Sequence, residues 1–151
     1  MKELDCSVVA TVSDRGGVAL YRAVGRDGAP VLLRVLDPSR CSPRTVDELR
    51  RELDIASSLA SAAVVRPIQL GTHRGLPALL LEHFDGEPCD VHSGPMPLEP
   101  FLALATRIAG ALSDVHRSDI IHKGIGPHHI LVHAVSGEVR LTGFGLSARL
   151  S

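Results

Sequence analysis

Tryptophan is absent from these 151 residues, tyrosine occurs once and phenylalanine three times, so aromatic side chains cannot build the interior. Aliphatic residues must supply the core, and a hydrophobic content of 44% is enough for one compact domain of this length. An excess of charge of either sign is also missing. Lys and Arg total 16 against 17 Asp and Glu, a net charge of −1. That balance excludes the basic footprint of a nucleic-acid binder or of a protein attracted to anionic membranes. No apolar run approaches the length of a membrane span, and charges inside "MKELD" leave no room for a signal-peptide core. Cysteine is scarce: Cys6, Cys41 and Cys89 are far apart, odd in number and form no C-x-x-C pair. Such usage fits unpaired thiols in a reducing compartment, and a cytoplasmic location is expected.

What is present is an ordered alternation of strand and helix signals. "CSVVATVS", "VALYRAV" and "VLLRVL" are rich in β-formers and are separated by "DRGG" and "GRDGAP", which reads as a β-meander. Thr45-Val46-Asp47-Glu48 has the form of a capping box. The helix it opens carries an apolar stripe of Val46, Leu49, Leu53, Ala56 and Ala60. "AVVRPIQL" and "PALLLEHF" read as two further strands, the first at an edge or a bulge because of Pro67. The Gly- and Pro-punctuated segment 85–97 reads as a linker. Leu98, Phe101, Leu102, Ala105, Ile108, Ala109, Leu112 and Val115 then mark a second amphipathic helix of about five turns. "HILVHA" and "EVRLTGF" form a closing hairpin around "VSGE".

Three local patterns fall on this order at consistent spacings, and together they resemble the protein kinase fold. "VLLR", ending at Arg34, lies where that family has V-A-I-K, and Glu52 lies where its helix glutamate pairs with the lysine. "HKGIGPHH" lies at the H-R-D catalytic loop with its metal-binding Asn, and "GFG" at D-F-G. The resemblance implies an α+β fold: a five-stranded N-lobe with one helix over 1–84, a hinge region over 85–97, and the start of a helical C-lobe over 98–151. It also implies a single domain truncated after the D-F-G-equivalent turn. "GLPALLLE" and "IIHKGIGPHHIL" are similar to segments of kinase-like domains at the head of large bacterial multidomain sensor proteins.

At the positions that carry the family's chemistry the residues differ. Gly124 stands where the resemblance places the aspartate base, His129 where it places the metal-binding Asn, and Gly143 where it places the metal-binding Asp. Glycine offers no side-chain ligand, and imidazole is a softer donor than the oxygens that Mg²⁺ selects. No catalytic set is intact and no metal site is expected. Arg34 keeps a positive charge for Glu52 or a phosphate, although its planar fork differs from an ammonium. Leu32 narrows the adenine pocket. In the glycine-rich loop Ser13, Arg15 and Val18 replace the three glycines, leaving Gly16 and Gly17 for a flexible turn. Contact with ATP and Mg²⁺ is thereby reduced to a weak nucleotide site of Arg34, Glu52, Gly16 and Gly17. His122 and Phe144 match positions that hold the loops in place, and Ile121, Ile125, Ile130 and Leu131 keep the apolar frame.

The expected function is a catalytically impaired kinase-like module with a binding or regulatory role in signalling. A low-activity ATP-dependent serine/threonine kinase and a non-functional truncation product are the alternatives. An ordinary ion pair is as good a reading of Arg34 with Glu52 as phosphate binding. His122, His128, His129 and His133 suggest a transition-metal set, but their spacing matches no zinc pattern and no cysteine lies nearby. The apolar stripe over 98–115 would be covered in the family by further helices, so a protein partner on that face is expected.

Overall fold

The structure is a computed structural model describing residues 1–89 and 94–151. Residues 90–93 of the expected linker lie outside the described residues. Strands β1 (Cys6–Arg15), β2 (Val18–Gly25), β3 (Pro30–Leu36), β4 (Pro67–His73) and β5 (Leu76–Glu82) form one antiparallel sheet in the order β1-β2-β3-β5-β4. Its central register places Leu20 opposite Arg34 and Arg34 opposite Leu79. Because side chains alternate along a strand, Leu20, Leu32, Arg34, Leu36, Leu79 and Leu81 share one face. Ala23, Val31, Leu33, Val35 and Ala78 share the other, where Leu4 joins them in a second buried cluster. A sheet buried on both sides explains why β3 and β5 read as almost continuous apolar runs.

Helix α1 (Pro43–Ser57) lies on the first face, burying Leu49, Glu52, Ile55 and Ala56. It starts earlier than the Thr45–Glu48 pattern suggests. Ser42 is the cap, its side chain accepting from the Thr45 amide while Thr45 answers the Ser42 amide, and Pro43 occupies the first turn. Serine before proline satisfies an orphan N–H and presets the backbone, so it outcompetes the later signal. Ala60 falls beyond the helix and is exposed, whereas Leu59 is buried in the core between the lobes.

The strand expected from Ala63 begins only at Pro67. Residues before it turn to the second lobe: the Val65 amide donates to Leu141 O at 2.9 Å and the Leu141 amide to Ala63 O at 2.7 Å. β4 is an edge strand with a register shift between Pro67 and Gln69, which is where a strand tolerates proline. The expected linker contains a short strand, β6 (Glu87–Pro88). It pairs with β8 (Ile130–Val132), which pairs with β9 (Val139–Leu141). Between them run α2 (Leu98–Arg117) and β7 (Ile120–Ile121), and β7 pairs with β10 (Ala148–Arg149).

The stripe of α2 divides. Val115 is buried, and Ile108 and Leu112 pack against the core together with Ala111 and Leu104, which lie outside the expected stripe, whereas Ala109 is exposed. Leu98 is 69% exposed and Phe101 and Leu102 each 52%. Ile130 and Leu131 are buried as the apolar frame requires, but Ile121 and Ile125 reach solvent. The chain is thus an α+β fold, a five-stranded lobe carrying α1 joined to the beginning of a second lobe by residues that turn from one to the other.

Candidate functional site

The facing edges of β3, α1 and the segment after β9 meet in a buried polar network. Arg34 is 6% exposed and Glu52 2%, and the Arg34 Nη1 donates to Glu52 Oε2 in a close ion pair. The second arm of Arg34 donates to Thr142 Oγ1 at 2.6 Å. Glu52 Oε1 accepts from the Gly143 amide at 2.8 Å and from Thr142 Oγ1 at 3.3 Å. Burial alone would raise the Glu52 pKa, but the Arg34 charge and the hydrogen bonds from Arg34 and Gly143 hold it below the usual carboxylate value. A buried pair so completely bonded ties α1 to the Gly143 turn.

His129 and Gly143 fit one another. Gly143 has φ 77° and ψ 44°, a left-handed conformation, and a Cβ built there would overlap the His129 ring. The imidazole fills the space into which an aspartate at 143 would project. Its Nδ1 donates to Gly124 O at 2.7 Å, leaving Nε2 as an acceptor toward the cleft. Burial pushes its pKa down to about 4, with the Arg34 charge adding to the effect and the bond to Gly124 O opposing it. These residues do not fit Mg²⁺. One position has no side chain, and the other contributes a nitrogen donor whose ring already occupies the neighbouring space. Gly124 is different, because a Cβ there would meet His122 Nδ1 at 3.6 Å and Leu146 at 3.7 Å, ordinary contact distances. A Cβ would fit at the position where the resemblance places the base.

The frame around these loops is intact. His122 is 1% exposed and uses both ring nitrogens: Nδ1 accepts from the Gly124 amide at 3.1 Å, so Nε2 carries the proton donated to Thr142 O at 2.8 Å. Its ring lies 4.5 Å from the fully buried Phe144, and Ser147 Oγ donates to its carbonyl at 3.1 Å. Burial lowers its pKa, against the bond to Thr142 O. The histidines approach one another as rings, His128 to His129 at 4.0 Å and His129 to His122 at 5.8 Å, while His133 lies beside Phe84 and Asp85. Among the described residues no three His, Cys, Asp or Glu side chains converge as a metal set.

A cavity of about 430 Å³ opens between the Gly16–Gly17 turn, α1 and the Gly143–Leu146 turn. Arg34, Glu52, Gly16, His129 and Gly143 all line it, so sequence-distant candidates are brought together; Gly17 borders it through Arg40. Leu32, which the resemblance puts over adenine, is fully buried among the protein's own side chains. Leu20, Leu32, Leu131 and Phe84 are buried in one apolar cluster. The ring of Phe84 folds over Gly86, where a Cβ would overlap it, and Arg140 covers the ring at 4.6 Å. Sequence reasoning found Leu32 but missed Phe84. The glycine two residues after it, inside a segment read as linker, was the available signal.

Known proteins bear on this arrangement. The profile of the phosphotransferase enzyme family matches residues 15–144. A probable serine/threonine-protein kinase pknA2 of Bifidobacterium longum is 26% identical over 152 residues, covering 95% of this chain and 20% of the relative. The serine/threonine-protein kinase PknL of Mycobacterium tuberculosis is 28% identical over 144 residues, covering 92% and 36%. PrkC of Bacillus subtilis, also a serine/threonine-protein kinase, is 28% identical over 109 residues, covering 70% and 17%. The chain therefore spans between 17% and 36% of the length of these relatives.

Proposed function

The chain belongs to the phosphotransferase enzyme family as a protein kinase-like domain, and from that premise we propose that it is a non-catalytic module with a binding or regulatory role in signalling. The observation that carries this reading is the His129 ring lying where an aspartate at 143 would project. Phosphoryl transfer asks the protein for positioning and for metal ions that neutralise developing charge. With Gly124, His129 and Gly143 at the three positions, the chain offers no side-chain base and no oxygen ligands there. The Arg34–Glu52 pair meanwhile holds α1 against the cleft. The exposed side of α2, with Leu98, Phe101 and Leu102, is the face on which we place a protein partner.

A second reading, a low-activity serine/threonine kinase, is favoured by that same ion pair and by the names of the relatives. Transfer of radiolabelled phosphate from ATP with Mg²⁺ or Mn²⁺ to the chain itself or to a generic acceptor separates the two. The non-catalytic reading expects no transfer above an Arg34→Ala control. Transfer that Arg34→Ala abolishes would establish the kinase reading instead.

A further inference from the structure

The five-stranded sheet ends in two edges, β1 and β4. Residues 2–4, which lead into β1, cross to the opposite edge and pair with β4 in parallel, Glu3 beside Thr72. The Leu4 amide donates to Thr72 O at 2.8 Å, and the Thr72 amide donates to Lys2 O at 2.9 Å. Glu3 adds its side chain to this seam. Its Oε2 accepts from Thr72 Oγ1 at 2.6 Å, and its Oε1 accepts from the Arg74 amide at 2.6 Å in the turn between β4 and β5. Those two bonds hold the exposed carboxyl below its ordinary pKa. Leu4, 4% exposed, packs into the second apolar cluster with Ala23, Val31, Leu33, Val35 and Ala78.

This contact is fitted on the β4 side. A Cβ on Gly71 would lie 2.4 Å from Lys2 O and 2.8 Å from the Leu4 side chain, and Gly71 is not in the left-handed region, so the close approach alone calls for glycine there. The elbow at Asp5 is held far less firmly. The Cys6 amide closes a tight turn on Leu4 O at 3.1 Å, and Asp5 meets Arg26 at 3.7 Å, with the two side chains 73% and 87% exposed. Exposed pairs of this kind contribute little. The segment is thus anchored by two backbone bonds, one carboxylate and one apolar side chain, and it joins β1 through a weakly held bend.

We propose that residues 2–5 form a latch that ties the β1 and β4 edges together over the second apolar cluster and opens as a unit while the rest of the fold stays intact. Opening breaks the two backbone bonds, releases the Glu3 carboxylate from Thr72 and Arg74, and lifts Leu4 out of the cluster. It leaves the Thr72 amide and carbonyl unpaired on the β4 edge, the state in which a sheet edge accepts another strand. An opening that breaks so few buried contacts lies below global unfolding in free energy. The latch sits on the second face of the sheet and Arg34 points to the first, so the inference is independent of whether the chain transfers phosphate.

Amide hydrogen exchange of the full chain, resolved by NMR and corrected for intrinsic rates, tests the latch. The Leu4 and Thr72 amides are expected to share one opening equilibrium and to exchange about tenfold or more faster than the Gly143 amide, which Glu52 holds in the buried network. Glu3→Ala removes an exposed side chain whose charge-assisted bonds close the seam, and it is expected to speed both amides about tenfold or more. Gly71→Ala, which presses on Lys2 and Leu4 from the β4 side, is expected to act in the same direction. Neither variant should speed exchange at Gly143, and Glu99→Ala on the exposed side of α2 should leave all three amides unchanged. Leu4 and Thr72 amides as slow as Gly143 in the unaltered chain would overturn the proposal. Exchange that both Glu3→Ala and Gly71→Ala leave unchanged, or an equal acceleration at Gly143, would overturn it as well.

Discussion

At Gly143 the absence of a side chain is matched by the ring of His129, and that pairing makes the metal position hard to restore. Gly143→Asp must move the imidazole and place a Cβ in left-handed backbone, so it is expected to lower stability by ~1–3 kcal/mol. In a His129→Asn background the cost should shrink, and a double-mutant cycle read by denaturant melts measures the coupling. A Cβ at Gly124 meets only ordinary contacts, so Gly124→Ala should leave the melt nearly unchanged. The resemblance read from the sequence singled out Gly124, His129 and Gly143 as the residues standing where the family carries its base and metal ligands. It could not reveal that two of them fit together while the third leaves room, because that depends on the φ of one residue and the rotamer of another.

The buried titratable groups set an acid limit. His129 has a folded pKa of about 4 against an ordinary 6.5, so between these values the unfolded chain binds a proton that the folded chain refuses. Stability then falls as pH drops from about 6.5 to about 4, by roughly 3 kcal/mol at most. His122 is shifted in the same direction by burial. Glu52, held low, contributes stability above the ordinary carboxylate value and loses it as pH falls through its folded value, deepening the acid limb. Melting temperature against pH should begin to decline near pH 6.5, and His129→Asn should flatten the upper part of that decline. A profile flat down to pH 4.5 would contradict this assignment.

At the scale of elements, α1 is held at both ends of its functional face. Ser42→Ala removes the cap and should cost ~1 kcal/mol. Glu52→Ala leaves the Arg34 charge buried without its carboxylate and should cost ~3–5 kcal/mol, read by the same melts. The helix was legible from its stripe, but its start was misplaced because two overlapping capping patterns compete and only the structure shows that Ser42 wins. The stripe of α2 was legible as apolar, yet periodicity alone cannot say which apolar residues are covered. Leu104 and Ala111 pack inward while Leu98, Phe101 and Leu102 face solvent. Replacing Phe101 and Leu102 by Glu should change folding stability by no more than ~0.5 kcal/mol. It should also abolish any association at that face, which sedimentation at several concentrations would detect.

For the molecule as a whole, the order of strands and helices carried enough information to give the fold, because the sheet's two buried faces follow from alternation along β3 and β5. The joining of the lobes was less legible. Residues 63–65 read as part of a strand of the first lobe and instead bond to β9, a long-range choice that no local propensity records. The burial of Phe84 is of the same kind, since it needs Gly86, Leu131 and Arg140 from separate segments. These features together make a cleft with the outline of a phosphotransferase site in which the His129 ring takes the space beside Gly143.

That central claim is tested most directly by amide-resolved NMR of the chain titrated with Mn²⁺ and ATP. Selective paramagnetic broadening should be absent at Gly124, His129 and Gly143, with any shifts on adding ATP confined to the turn around Gly16 and Gly17. Broadening concentrated at His129 and Gly143 that grows with Mn²⁺ and requires ATP would show a working metal–nucleotide site and contradict the account.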